Sequence, residues 1–389
     1  MLALLNARLL DGTGGSPRDG VTLLVDGGRI VGLGQGEAPP GAEVVDVAGA
    51  TVMPGLIDVH VHISPPSPVT EAERLALAEV ASTFLARGFT TVRDLGSYGS
   101  TLFDLRSAIA RGELAGPRLV LSGQVISAVC PGAESFAGMY RECAGAEEWR
   151  LAVREQVAAG ADVVKVMVTG ALTVPGEDIN PSQVSVDELS AVVDEARLLG
   201  VPVAAHAEGA DGVRVAVAAG VDSIEHGEMA HTIPDALEQM AERGIVLVPT
   251  LCVFDAVESA FGERFPPWVR ERAKRLGEAA RLTVSAARAA GVTIAAGADA
   301  PPHGLNAREL ILLVDAGLSA REAIMAATSV AAEVCRIADE VGTLTVGKHA
   351  DLIVVEGDPL EDIAVLSDPR RLRHVLKGGD LVHPAGGTG

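Results

Sequence analysis

The sequence predicts an α/β fold in which eight parallel strands close into a (β/α)8 TIM barrel that carries a small β-sandwich domain. Three observations predict this fold. The middle of the chain alternates short β-branched runs with longer Ala- and Leu-rich stretches, both ends hold only short strand-like runs, and 48% of the residues are hydrophobic. Apolar strands that alternate with helices are typical of a parallel sheet covered by helices. A length of 389 residues suits one such barrel with an appendage.

The predicted barrel occupies residues 51–341. Its candidate strands are apolar runs that end in Gly, Pro or polar residues, at 51–63, 90–96, 118–127, 162–170, 201–208, 223–228, 245–252 and 292–301. Its candidate helices include 71–87, 146–159, 186–199, 209–219, 234–243, 267–290 and 307–316. Such a series of strand–helix units fills about the 250 residues that a closed barrel needs.

The predicted sandwich is assembled from residues 1–50 and 342–389. Its candidate strands are cut by Gly and Pro and lie at 2–10, 21–26, 29–33, 43–45, 342–346, 351–356, 374–376 and 381–382. Because these runs come from both ends of the chain, we expect a composite domain that holds the barrel closed.

The composition excludes several classes of protein. The 52 acidic residues outnumber the 31 basic ones and give a net charge of −21, which argues against binding to nucleic acid or to anionic lipid. The longest stretch without a charged residue, 119–133, is shorter than the about 20 residues that a membrane helix needs. No signal peptide is recognisable, and the four cysteines are scattered. We therefore expect a cytoplasmic protein with free, mostly buried thiols and a small-molecule substrate.

His60 and His62 occupy the first predicted barrel strand. Residues i and i+2 of a strand point to the same face, so both imidazoles can reach one metal ion. A His-x-His pair alone is weak evidence, because it is as often a surface pair. Here the neighbours Leu56, Ile57 and Val59 predict burial, and buried imidazoles need partners that a metal would supply.

Lys165 lies in the middle of the apolar fourth strand, where a charged amine is costly to bury. It could be a snorkelling lysine or one paired with a carboxylate. Alternatively, burial and nearby cations keep the amine neutral. A neutral amine can add carbon dioxide to give a carbamate, whose two oxygens can bridge two divalent metals.

His206, His226 and Asp299 end the fifth, sixth and eighth predicted strands. Taken singly, each is best interpreted as a satisfied core or loop residue. Together with the first and fourth strands, they map six candidate ligands to the C-terminal face of the barrel, where barrel enzymes build their sites. Imidazole and carboxylate ligands without thiolates suit Zn2+, and also Mn2+, Fe2+ or Co2+.

With these residues in place, the sequence resembles the amidohydrolase superfamily over nearly the whole chain. The resemblance rests on residues 54–62, Lys165, His206, 224–227, 297–299, 327–328, 342–344 and 347–352. Residues 158–165 and 249–251 are similar to the imidazolonepropionase-like branch. That branch includes prolidase-like metal-dependent dipeptidases, carboxypeptidases, and hydrolases of aryl amides and ureas.

The resemblance implies a hydrolase with two metal ions. By matching positions, His60, His62 and Asp299 would hold the first metal, and His206 and His226 the second. The carboxylated Lys165 would bridge the two ions. A lysine on the fourth strand disfavours deamination, because deaminases of this fold use one metal and lack it.

One departure puts dipeptide specificity in doubt. The prolidase-like branch often has Gly-Gly-His after the third strand, whereas residues 126–133 contain no histidine. Tyr140 or Arg141 could replace that contact with the substrate, and His303 on the eighth loop could add another. Ordinary loop residues are the alternative for all three. We expect this segment and residues 254–267 to shape the pocket.

Three further residues are expected to support the site or the core. Asp58 is predicted to support the backbone behind the His-x-His pair. Arg93 and Asp94 could either support the metal ligands from behind or form a structural ion pair, and we favour the ion pair. The chain could also form a homo-oligomer.

The expected reaction is hydrolysis of an amide-type C–N bond in a dipeptide, N-acyl amino acid, aryl amide or urea. A hydroxide shared by two cations would attack the carbonyl, with Asp299 as general base and then general acid. His206 or His226 would help to stabilise the oxyanion. The alternatives are a lactone or ester hydrolase that uses the same site, and a metal-free scaffold relative.

Overall fold

A computed structural model of the protein describes residues 1–64, 70–299 and 303–384. The strands are β1 (Leu2–Leu9), β2 (Arg18–Asp26), β3 (Arg29–Gly34), β4 (Glu43–Asp46), β5 (Thr51–Pro54), β6 (Leu56–Val61), β7 (Phe89–Asp94), β8 (Arg118–Leu121), β9 (Val125–Ala128), β10 (Tyr140–Cys143), β11 (Val164–Met167), β12 (Val203–Ala207), β13 (Ser223–His226), β14 (Val246–Val248), β15 (Leu352–Val355), β16 (Leu372–Lys377) and β17 (Asp380–Pro384). The helices are α1 (Glu71–Ala86), α2 (Thr101–Ala110), α3 (Pro131–Ser135), α4 (Ala146–Ala159), α5 (Val186–Leu199), α6 (Ala210–Ala219), α7 (Pro234–Arg243), α8 (Leu251–Glu258), α9 (Pro267–Ala289), α10 (Arg308–Asp315), α11 (Ala320–Ala326) and α12 (Ser329–Val334).

Both ends of the chain meet in one eight-stranded sheet of order β17-β16-β15-β5-β1-β2-β3, with β4 also paired to β1. β5 lies between β1, to which it runs parallel, and β15, to which it runs antiparallel. The predicted small β-sandwich is not confirmed, because hydrogen bonds join these strands edge to edge into a single sheet. The apolar side chains of β1, β2 and β15 form a separate core on this sheet.

The predicted first barrel strand, 51–63, is in fact two strands that belong to different sheets. β5 pairs with the sheet of the chain ends, while β6 pairs in parallel with β7. The chain passes from one sheet to the other at Gly55. A Cβ at this position would lie 2.3 Å from the hydroxyl oxygen of Thr90, so the crossing requires a residue without a side chain.

The remaining strands are parallel, as predicted, but they do not form one closed ladder among the residues described. β6, β7 and β8 form one sheet, and β10-β9-β11-β12-β13-β14 form another. The predicted eighth strand, 292–301, contributes only a bridge between Leu247 and Ile294, and its last two positions lie outside the described residues. Single backbone hydrogen bonds, from Val59 N to Ala296 O and from Asp299 N to His60 O, tie this segment to β6.

Helix predictions were accurate where apolar periodicity and caps coincide. α4, α5 and α7 have the predicted bounds. Ser185 and Glu188 form a capping box at the start of α5, and Gly200 ends it in the left-handed region. The predicted strand at 342–346 is wrong, because this segment is a turn, and α2 and β10 were not predicted.

The largest buried cluster joins the parallel strands to the helices around them. All four cysteines are free, and three of them are buried, as expected. Within the described ranges, no helix has the length and apolarity that crossing a bilayer requires.

Candidate metal centre and active site

The C-terminal ends of the parallel strands bring the predicted ligands together. The rings of His60 and His226 have centroids 5.0 Å apart, and those of His206 and His226 are 4.5 Å apart. Asp299 Oδ1 lies 3.5 Å from His62 Nε2 and 3.8 Å from His60 Nε2. One ligand atom each of His60, His226 and Asp299 falls within 4.8 Å of the others, which makes these three a possible metal-binding group.

A buried ion-pair network holds the ring of His60. Its Nδ1 lies 2.8 Å from Oε2 of Glu225, and Oε1 of Glu225 accepts hydrogen bonds from Arg93 at 2.9 Å and from Ser223 at 2.6 Å. Because a carboxylate only accepts, the Nδ1 of His60 carries the proton and its Nε2 keeps a free lone pair. A carboxylate behind a histidine in this way is a common support for a metal ligand.

The other three imidazoles are held in the same manner. His62 Nδ1 lies 3.2 Å from the carbonyl oxygen of Gly96, and His206 Nε2 lies 3.2 Å from that of Gly170. His226 Nδ1 shares a 2.8 Å hydrogen bond with the hydroxyl of Thr250. Each ring therefore has one nitrogen committed to the protein and one left for another partner.

Burial keeps these imidazoles neutral. It is the largest cause that lowers the pKa of His62 to about 4 and that of His206 to about 3, and the nearby charge of Lys165 acts in the same direction. The pKa values of His60 and His226 are likewise held well below the ordinary value. Neutral imidazole is the form that ligates a metal.

Lys165 is buried on β11, and its Nζ lies 3.4 Å from Nε2 of His60. Among the described residues no carboxylate oxygen comes within 4.0 Å of this amine, so it has no ion-pair partner. Burial lowers the pKa of Lys165 to about 8, against the charges of Glu225 and Asp299, which raise it. With this pKa, about one-tenth of the amine is neutral at neutral pH.

Asp299 follows the eighth segment, and burial raises its pKa to about 7. Its φ of 47°, like the φ of 72° at His226 and 49° at Thr250, lies in the left-handed region that non-glycine residues rarely adopt. Backbone strain of this kind clusters at functional sites. The segment also approaches β6 closely, since a Cβ at Gly297 would lie 2.7 Å from the Cβ of His60.

A cavity of about 480 Å³ opens above these residues. The predicted ligands form its base, and its walls include Val125, Phe136, Met139, Tyr140, Val253 and Phe254. The segment after the third strand and the insert at 254–267 therefore contribute to the pocket, as expected.

The three predicted substrate contacts are placed differently from one another. Tyr140 lines the cavity, and burial raises the pKa of its hydroxyl. Arg141 does not line it, because its guanidinium turns outward to bond Glu155 at 2.8 Å. His303 is bonded through Nε2 to the carbonyl oxygen of His62 at 3.0 Å, and it is likewise not among the residues that line the cavity.

The supporting residues were predicted in part. Asp58 Oδ1 accepts hydrogen bonds from the backbone amides of His60 and Ala298, which confirms its role behind the His-x-His pair. The predicted ion pair of Arg93 and Asp94 is wrong. Arg93 pairs with Glu225 across the barrel interior, whereas Asp94 accepts the backbone amides of Ile63 and Gly96.

Sequence reasoning missed Glu208 and Glu228, two buried carboxylates that line the cavity. Each stands two residues after a candidate ligand, at the ends of β12 and β13. The rule that placed His60 and His62 on one face would have found both.

The donor set fits divalent cations. The four imidazoles and Asp299 offer nitrogen and oxygen ligands, and the set contains no thiolate. In three of the imidazoles, a hydrogen bond to an oxygen that only accepts fixes the proton on the nitrogen that points away from the site. Such a set suits Zn2+ and similar ions. Within the described ranges, the amine of Lys165 is the only protein donor within hydrogen-bond distance of these free nitrogens. Such a site at the carboxyl ends of parallel strands defines the class of barrel-type metal-dependent hydrolases.

The chain belongs to the amidohydrolase family, whose family model matches residues 51–382. The resemblance seen in the motifs is thereby confirmed. The family acts on small-molecule substrates and is usually metal-dependent, and membership supports a hydrolase activity.

Three comparisons illustrate this membership. The ochratoxinase of Aspergillus niger is 33% identical over 367 residues, covering 85% of this chain and 75% of that protein. The imidazolonepropionase of Rhizorhabdus wittichii is 28% identical over 87% of this chain and 88% of its own length. The crystal structure of a Xaa-Pro dipeptidase with bound methionine superposes with a TM-score of 0.90 at 33% identity, covering 98% of this chain and 99% of that one. These neighbours imply a TIM-barrel fold with parallel sheets.

Proposed function

We propose that this protein uses two divalent cations, most simply Zn2+, to hydrolyse an amide-type C–N bond of a small molecule. One observation carries the proposal. At the base of a closed-in cavity, four imidazoles each have one nitrogen bonded to the protein and leave the other free beside Lys165 and Asp299. Neutral imidazoles that each leave one nitrogen free do not contribute to a packed core, but they are already oriented to bind cations.

Each ligand has a place in this proposal. His60, His62 and Asp299 would hold one cation, His206 and His226 would hold the other, and a carboxylated Lys165 would join them. The buried amine without a carboxylate partner supports the carboxylation. A neutral amine can attack carbon dioxide, and the resulting negative charge would be balanced by the cations.

Bound divalent cations would lower the pKa of a water molecule and polarise the scissile carbonyl. Asp299 accepts the proton of the attacking water and delivers it to the leaving nitrogen. A carboxyl group whose pKa lies near 7 can take up and release a proton at neutral pH, which suits both steps. The walls of the cavity exclude bulk water and position the substrate.

The test combines metal analysis with a substrate panel. We expect about two metal ions per chain. We also expect cleavage of at least one C–N substrate among Xaa-Pro dipeptides, ochratoxin, N-acyl amino acids, aryl amides and ureas. Cleavage of lactones alone would favour the lactone and ester alternative. Protein that lacks metal, gains none on incubation and cleaves nothing would contradict the proposal and favour a scaffold role.

Carboxylation of Lys165 has its own test. Protein prepared with ¹³C-bicarbonate should give a carbamate carbon resonance, and the Lys165→Ala variant should lack it. The same spectrum for both proteins would remove the bridging role from Lys165.

A further inference from the structure

Two carboxylates on the cavity wall have oxygens that the protein does not satisfy. Glu208 is 3% exposed and Glu228 is 1% exposed, and both line the cavity. Among the described residues, the Oε2 atom of each has no hydrogen-bond partner. Buried polar atoms are normally paired, so two carboxylate oxygens without a partner, on residues that line one cavity, require an explanation.

The protein supplies few hydrogen-bond donors to these two carboxyl groups. Glu208 uses Oε1 to accept the backbone amide of Leu172 at 2.8 Å, and the same atom lies 3.4 Å from His206 Nε2. The hydroxyl of Thr283 donates to the carbonyl oxygen of Glu228 and not to its carboxylate.

Arg272 is the nearest basic side chain whose charge acts on Glu208, but it is engaged elsewhere. Its guanidinium donates to the carbonyl oxygens of Leu172 and Glu177, both at 3.3 Å, and lies over the ring of Trp268. Within the described ranges, no lysine or arginine nitrogen comes within 4.0 Å of either carboxylate. A cation that enters the cavity would give these two carboxyl groups the basic partner that the described side chains do not supply.

We propose that Glu208 and Glu228 bind a positively charged nitrogen of the substrate, either a protonated amine or a guanidinium. Phe136, Met139 and Phe254 supply an apolar wall for the hydrocarbon part of the same molecule. A cation that fills this place brings hydrogen bonds to both free oxygens and offsets the cost of burying them. The inference rests on the proposed function, because it names the substrate class of that hydrolytic site.

Binding can be measured without turnover. Benzamidinium is charged at neutral pH and donates N–H hydrogen bonds, and benzyl alcohol is a neutral molecule with the same ring. By calorimetry, the metal-loaded protein should bind the cation at least about 10-fold more tightly, the equivalent of about 1.4 kcal/mol. The double variant Glu208→Gln/Glu228→Gln should lose that preference, whereas Glu238→Gln, an exposed position on α7, should keep it.

Turnover separates the possible sources of the charge. The matched substrates are the anilides of lysine, norleucine, N-acetyl-lysine and N-acetyl-norleucine. Preference for N-acetyl-lysine over N-acetyl-norleucine anilide would place the side-chain cation on the two carboxylates. Preference for norleucine over N-acetyl-norleucine anilide would place the α-ammonium group there. Both preferences should fall about 10-fold in the double variant and in whichever single variant retains a native circular dichroism spectrum.

The outcomes separate this inference from the proposed function. If charged and neutral anilides are cleaved equally well and the two ligands bind equally, the cation site is refuted while the hydrolase stands. If the cation binds through Glu208 and Glu228 but no C–N substrate is cleaved, the cation site is supported and the proposed function is not. If the double variant keeps the full preference, the cation is bound elsewhere and the inference is wrong.

Discussion

The base and the wall of the cavity are both lined by buried polar groups, but they are satisfied in opposite ways. At the base, each imidazole is tied to a protein partner, such as Glu225 behind His60 or Thr250 behind His226. On the wall, Glu208 and Glu228 each keep an oxygen that has no partner in the part of the chain that the structure describes. The base is thus held in place before anything binds, whereas the wall depends on what enters.

This difference indicates two different occupants. A metal site gains affinity from ligands that cannot rotate, because little ordering remains to be done on binding. A substrate site discriminates best when its polar groups are left unpaired by the wrong molecule. In the two proposals the same cavity combines a rigid metal centre with a selective wall, and the following experiments separate the two.

Removal of metal should have the largest effect on hydrolysis. It should act on the base of the cavity and leave the wall intact. Treatment with a chelator should abolish hydrolysis, and added Zn2+ or Mn2+ should restore it. Binding of benzamidinium should persist or tighten, because removing two cations removes their repulsion of the bound cation. Hydrolysis by metal-free protein would contradict the proposed role of the base.

Substitution of Asp299, the proposed proton carrier, should have the next largest effect on turnover. Asp299→Asn keeps the shape of the side chain but cannot carry the proton, so turnover should fall about 10²- to 10⁴-fold. Unchanged melting and an unchanged cation affinity should accompany the loss. The exposed Asp211→Asn on α6 provides the matched control. Turnover close to that of the wild type would remove Asp299 from this role.

Loss of one hydrogen bond behind the base should weaken metal binding without abolishing it. Thr250→Val has nearly the same shape but cannot bond Nδ1 of His226, so metal affinity should fall about 10- to 100-fold. The measurement is a competition between the protein and a chelating dye. Thr345→Val, at an exposed position, should leave affinity unchanged. Equal affinities for both variants would show that this hydrogen bond does not orient the ring.

The smallest effect concerns Glu309, a buried carboxyl group that, unlike those of the wall, has partners for both oxygens. It accepts the backbone amides of Leu251 at 3.0 Å and Cys252 at 2.7 Å. Burial raises its pKa from 4.5 to about 8. Between these values the folded state keeps a proton that the unfolded state has lost, so this contribution to stability is complete below pH 4.5 and is lost as the pH rises through 8.

Thermal melting across this range tests the sign. Glu309→Gln should flatten the fall in stability with rising pH by at most about 1.4 kcal/mol per pH unit. The exposed Glu238→Gln should leave the slope unchanged. A slope that is equally steep without Glu309 would assign the pH dependence to other buried carboxyl groups.

The fold was predictable where the signal is local. The bounds of α4, α5 and α7 follow from apolar periodicity and from the glycines that end them. Prediction failed where pairing is decided by distant strands. The run 51–63 is one apolar stretch, yet its two halves join different sheets, and no local pattern indicates which strand will lie beside each half.

The six candidate ligands could be predicted from the sequence alone, because the end of a buried strand and the alternation of side chains along it are local properties. What only the tertiary structure decided is how those ligands are held and what faces them. Glu225 reaches His60 across 165 residues of chain, and Arg93 reaches Glu225 across 132. Among the described residues, one oxygen of Glu208 and one of Glu228 have no partner, and this too is visible only when every neighbour is in place. The lack of a partner is a property of the packed molecule and not of any segment.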